Sequence, residues 1–117
     1  MAEELVKKHC KPCEGGVPPL SSERAHELMK SVEEWQFTQD QKSIIREFIM
    51  ENFSAAIKFI NEIAKTAEKE GHHPDLYLTG YRKLKVVLST HAIGGLSEND
   101  FILAAKIDGL PKELKAK

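Results

Sequence analysis

Three of the chain's five histidines stand where proton-transfer chemistry would want them. His72 and His73 are adjacent, in Gly71-His72-His73-Pro74, at the junction between a predicted helix and a predicted strand. His91 is delivered at the far end of the strand that follows. Histidine is the side chain whose ordinary titration falls near neutral pH, so three imidazoles brought to one end of a sheet suit a general acid and base. Neighbouring residues in an extended segment point to opposite sides. One of His72 and His73 is therefore expected to face a substrate, and the other to brace the loop or the pocket floor. His91 runs into Gly94-Gly95, a pair that permits close approach of a ligand to backbone.

Two carboxylates accompany them. Asp100 follows Ser97 by three residues in Ser97-Glu98-Asn99-Asp100, the position from which a carboxylate reaches back to a helix-cap amide. That role would also hold it near the His91 loop. Glu68 lies one turn before the histidine pair and is placed to line the same cleft. Each feature has a plainer reading too: His-His-Pro can serve as a helix terminator, with histidine favoured at the negative end of the dipole, and Glu68 as a solvated charge.

Other chemistries fit less well. Three histidines can ligate zinc and leave a position open for water. Adjacent histidines in an extended segment chelate poorly, however, unlike an i, i+4 pair on a helix, so no metal site is expected. No serine or cysteine sits in a recognisable nucleophile motif. Cys10 and Cys13 form a single CxxC without a second pair of ligands, and Pro18-Pro19 follows where a redox motif would want a helix. They are expected to be two free cysteines in an arm.

The elements that must position these residues follow from punctuation and periodicity. At 117 residues the chain suits one domain, with residues 1–20 an extended N-terminal arm and 21–117 the folded unit. Ser21 or Ser22 caps a first helix whose Ala25, Leu28, Met29 and Val32 make one apolar stripe. Trp35 to Phe37 and Ser43 to Met50 read as a hairpin across the polar turn 38–42. Asn52 caps the longest helix, through about Glu70, with Phe53, Ala56, Ile57, Ile60, Ile63, Ala64 and Ala67 along one side. Gly71 and Pro74 stop it. Short strands at 75–78 and 82–90 turn through Thr79-Gly80; in the second, Leu84, Val86 and Leu88 share one face. Residues 93–96 read as a loop, and Ser97 caps a last helix stopped by Gly109 and Pro111. The expected fold is α+β, in the order α-β-β-α-β-β-α, with three helices packed on one face of a four-stranded antiparallel sheet.

Lysine plus arginine number 17 against 18 aspartate plus glutamate. That balance gives no electrostatic footprint for direct nucleic-acid binding, and the lysine-rich C-terminus reads as solvated charge. No apolar run reaches membrane-spanning length, and the N-terminus has no secretory apolar segment, so a cytoplasmic protein without membrane contact is expected.

The segment GHHPDLYLTGY…LSTHAIGGLSENDFILAAKID, with His-His-Pro, then Thr-His, then Gly-Leu-Ser-x-x-Asp, closely resembles the pterin-4a-carbinolamine dehydratase family. The resemblance extends over about Leu20 to Asp108. It implies the same α-β-β-α-β-β-α fold and the dehydration of a 4a-hydroxytetrahydropterin to quinonoid dihydropterin and water, recycling a pterin cofactor. The pterin is then the substrate, and no cofactor is implied. Residue by residue, the resemblance places the catalytic histidines at His72, His73 and His91, the active-site aspartate at Asp100, and a glutamate near the pterin at Glu68. It implies a homodimer or homotetramer. It also raises an alternative: a non-catalytic module that acts as a dimerisation cofactor of a transcription factor through helical surfaces, as animal members do. The 75–80 stretch is one residue longer than in the animal proteins, and the Cys-containing arm is unlike theirs.

Overall fold

The computed structural model describes residues 2–10 and 18–116. Cys13, Gly15 and Gly16, read as part of an arm, lie outside the described residues. The remaining elements run α1 (Ala2–Lys7), α2 (Ser22–Met29), β1 (Gln36–Phe37), β2 (Ile44–Ile49), α3 (Phe53–Glu70), β3 (Asp75–Thr79), β4 (Lys83–Leu88), a 3₁₀ turn (His91–Ile93) and α4 (Glu98–Asp108). The four strands form one antiparallel sheet in the order β1-β2-β4-β3. The α+β fold expected from sequence is therefore present, with one helix more among the described residues.

The pleat explains which side of the sheet is covered. Ile44 and Phe48 of β2 and Leu84, Val86 and Leu88 of β4 are buried and share the inner face with half-buried Leu76 and Leu78 of β3. On the outer face Glu47, Lys85 and Tyr77 lie side by side across three strands, with the Lys85 ammonium 4.8 Å from the Tyr77 ring. Arg46 is the inward-facing charge. It donates to Asp108 of α4 at 2.7 Å and covers the Phe48 ring, while the Trp35 indole N–H donates to the same carboxylate oxygen at 2.9 Å. This polar clasp joins β2 and the residue before β1 to the end of α4.

Two helix ends do the positioning that matters for the histidines. In α3, Asn52 accepts from the Ala55 N–H at 2.8 Å, and Ala56, Phe59, Ile63 and Ala67 form the buried stripe. Gly71 then adopts φ 66°, with its N–H on the Ala67 carbonyl, so the chain leaves the helix and turns into β3 carrying His72 and His73. In α4, Phe101 through Ala105 and Ile107 are buried.

Burial all round α4 requires cover on both sides, and this is where the extended arm expected for residues 1–20 has to be corrected. Residues 2–7 are helical, α1 packs on α4, and Leu5 is buried. The segment after α1 is fastened by Glu70, the last residue of α3, whose side chain is only 3% exposed. Glu70 accepts the Cys10 N–H at 2.8 Å and faces the His9 ring at 3.1 Å and the Lys106 ammonium at 3.7 Å.

Burial alone would push the Glu70 carboxyl up. The Cys10 N–H, the His9 ring and Lys106 outweigh it and hold the group below the usual glutamate value. Because the folded value is depressed, this contribution to stability is present at neutral pH. It fades as the pH falls below about 4.3 and through the folded value. Glu70→Gln should therefore lose less stability than the wild type on acidification from about pH 5 to pH 3, measured by urea unfolding. Parallel acid limbs in the two proteins would contradict this.

Candidate active site

The end of the sheet where β3 begins and β4 finishes collects the residues singled out by sequence. As expected for neighbours in extended backbone, His72 and His73 diverge. His72 turns inward, its side chain 12% exposed, and its Nε2 lies 2.6 Å from Asp100 Oδ1. His73 turns outward, 61% exposed, and its Nε2 lies 2.8 Å from Glu68 Oε2 on the last turns of α3. His91 opens the 3₁₀ turn just beyond β4 and is exposed.

Asp100 is the hub. Its side chain has no exposed surface, yet both oxygens are engaged. Oδ1 meets His72; Oδ2 accepts the Thr90 hydroxyl at 2.8 Å and the Ser97 N–H at 3.0 Å. The Ser97 contact is the carboxylate half of a capping box. A hydroxyl has one proton to give, and Thr90 gives its proton to Asp100. The 2.7 Å contact between Thr90 Oγ1 and Ser97 Oγ must then have Ser97 as donor. The result is a directed chain, Ser97 to Thr90 to Asp100. An ionised Asp100 can only accept, and in that state His72 Nε2–H is the donor of their contact. In the neutral ring Nδ1 of His72 is then the unprotonated nitrogen and the one left for other chemistry.

The structure thus brings together His72 with Asp100 and His73 with Glu68. His91 is tied to the first pair through the backbone, one residue after Thr90. Asp100, read from sequence as a helix-cap carboxylate held near the His91 loop, contacts His72, Thr90 and Ser97 with its side chain wholly buried. Ser97 is the cap expected from sequence, whereas Thr90, which links Ser97 to Asp100, is not among the expected site residues. The available signal was the Thr before His91. The reading of Gly94-Gly95 also changes. Gly94 is left-handed at φ 66°, and a Cβ on Gly95 would come within 2.9 Å of Pro19 Cβ, so the close neighbour at Gly95 is this chain's own proline.

Two hollows of the surface are lined by other residues than these histidines. One of about 380 Å³ lies between α3 and the C-terminal segment, beside Phe59 and Lys112, and one of about 420 Å³ lies at the turn 38–43. Among the described residues, no three His, Cys, Asp or Glu side chains are grouped to hold a metal ion.

The family model for pterin 4 alpha carbinolamine dehydratase matches residues 18–110. The chain belongs to that family. A relative from Nitrosospira multiformis, whose name assigns it provisionally as a pterin-4-alpha-carbinolamine dehydratase, is 48% identical over 108 residues, 92% of this chain and 93% of its own. A similarly named relative from Nitrosomonas europaea is 49% identical over 110 residues, 93% and 95% of the two chains. Among solved structures, the transcriptional coactivator/pterin dehydratase from Brucella melitensis aligns with a TM-score of 0.72 at 31% identity, covering 77% of this chain and 95% of its own.

If Asp100 is the hub, its removal strands buried donors. Asp100→Ala should lower unfolding free energy by about 2–4 kcal/mol, from the lost cap and the unsatisfied Thr90 and Ser97 groups. Urea unfolding measures it, and a loss under about 0.5 kcal/mol, the range of an ordinary surface substitution, would contradict the arrangement.

Proposed function

We propose that the chain dehydrates a 4a-hydroxytetrahydropterin to the quinonoid dihydropterin and water, with histidines as general acid and base, in the cytosol. The observation that carries this reading is the division of labour at one sheet end. His72 is fixed through Nε2 by a buried carboxylate, and His73 and His91 are exposed to solvent at the same end of the sheet. Membership of the family supports the substrate class.

The reaction needs one proton delivered and one removed. Protonation of the C4a hydroxyl turns it into leaving water. Loss of the N5 proton frees the nitrogen lone pair, which forms the N5=C4a double bond as the C4a–O bond breaks. No electron leaves the system and no metal, redox cofactor or covalent intermediate is required. His72 and His91 take the acid and base roles on either side of C4a. Asp100 acts as a positioning residue: it holds the His72 ring so that Nδ1 faces the open site, and its negative charge lies beside that ring whenever the ring carries a second proton. His73, braced by Glu68, binds and orients the pterin.

Turnover of enzymatically generated 4a-hydroxytetrahydropterin tests the assignment. His72→Ala and His91→Ala should each reduce kcat about 10²-fold or more, as expected for loss of a general acid or base. His73→Ala should act mainly on KM. Wild-type turnover in either of the first two variants would remove that residue from the chemistry.

A second reading, a protein-binding role, draws on the name of the Brucella melitensis neighbour and on the apolar side chains that α3 leaves exposed, Phe53 at 53% and Ile57 at 38%. The same helix face suits assembly into a homodimer or homotetramer. Such a role would survive in the histidine variants, while dehydration would not.

A further inference from the structure

The segment preceding α2 touches both loops that carry the site histidines, and it does so at two separate places. At the first, the chain after α1 lies against the end of α3. The Cys10 N–H donates to Glu70 Oε1 at 2.8 Å, two residues before His72, and the Cys10 thiol reaches the Asn99 carbonyl at 3.7 Å, one residue before Asp100. The Lys106 ammonium stands 3.7 Å from Glu70 and donates to the Val6 carbonyl at 2.7 Å, tying α1, α3 and α4 at one point. Lys8 adds a contact to Glu98 at 3.4 Å, on the first turn of α4. At the second place, the Leu20 N–H donates to the Leu96 carbonyl at 2.9 Å, and Pro19 fills the space that a side chain at Gly95 would need. Gly95 in turn pairs with Thr90, the residue before His91 and a donor to Asp100.

These contacts converge on one distance. The first set fixes the end of α3, and so His72, against the start of α4, and so Asp100. The second fixes the turn between Thr90 and Ser97, which carries His91. We propose that residues 2–10, together with Pro19 and Leu20, form a strap that positions the histidine site, with Glu70 as its anchoring residue. Glu70 touches no reacting group in this scheme. It acts on dehydration through the placement of His72 and Asp100, and to that extent the inference rests on the dehydratase reading.

Two kinds of substitution test the strap, each with activity and spectroscopic readouts. Glu70→Ala removes the acceptor; Glu70→Gln keeps an oxygen for the Cys10 N–H. Cys10→Pro removes that N–H together with the thiol contact to Asn99, leaves Glu70 in place, and serves if Glu70→Ala does not fold. The readouts are kcat and KM with the carbinolamine, and the ring C–H resonances of His72 and His91 in two-dimensional NMR spectra of each folded variant. A misplacement of reacting groups on the ångström scale can cost up to about 10²-fold, so Glu70→Ala or Cys10→Pro should lower kcat roughly tenfold or more with KM within about twofold. Both His72 and His91 ring signals should move, and Glu70→Gln should restore most of the rate. A folded Glu70→Ala or Cys10→Pro protein with wild-type kcat and unmoved ring signals would overturn the strap. If the wild type itself shows no turnover, the dehydratase reading falls alone, and the ring signals still decide the strap: movement supports it, and none overturns it.

Discussion

A carboxylate taken wholly out of water is the constraint on which this structure depends. Removing an ionised group from solvent costs several kcal/mol unless donors replace the water it loses. Asp100 has no exposed side-chain surface and finds three donors, none of them on the body of its own helix. They are His72, just past the end of α3, the Thr90 hydroxyl, just past the end of β4, and the Ser97 N–H at the cap of α4. Those three meet only if α3 stops at Gly71, β4 leaves the sheet by Thr90, and α4 starts at Ser97. The left-handed Gly71 and the turn closed by the Thr90–Gly95 bridge are how the backbone complies.

The same constraint sorts the histidines by role. His72 spends Nε2 on Asp100, which leaves Nδ1 as its working atom and holds the ring in one orientation. His73 has no such burial and stays open to a ligand. A group that must accept and return a proton benefits from a fixed tautomer, while groups that bind a substrate benefit from access. In the proposed dehydration these demands fall on neighbouring residues, which alternation in extended backbone separates without further machinery.

Much of this was legible in the sequence because local signals agreed with the tertiary result. Asn52 and Gly71 bound α3 as their types predict, the alternation in β4 marks its buried face, and Ser97 with Asp100 announces the start of α4. The misses came where the partner is distant in sequence. Nothing local to residues 2–7 demands a helix of so few residues; its reason is α4, whose Phe101 to Ile107 is apolar on more sides than the sheet and α3 can cover. That excess was visible and could have called for a further layer. Gly95 looked like room for a ligand because sequence cannot show that Pro19 occupies it. The contacts of Asp100 with His72 and Thr90 could not be read from its spacing, which reports only the helix cap. Glu70 drew no notice at all, since its three partners stand 36 or more residues away.

The most direct measurement is the protonation pattern of the His72 ring at neutral pH, read from long-range ¹⁵N–¹H correlations in the wild-type protein. If Asp100 holds this ring for proton transfer, Nε2 carries a proton and Nδ1 carries none, in a single tautomer, and the pattern collapses to an average of tautomers in Asp100→Asn. A wild-type ring protonated at Nδ1 and bare at Nε2, or one already averaging between the two, would contradict the central role given to Asp100.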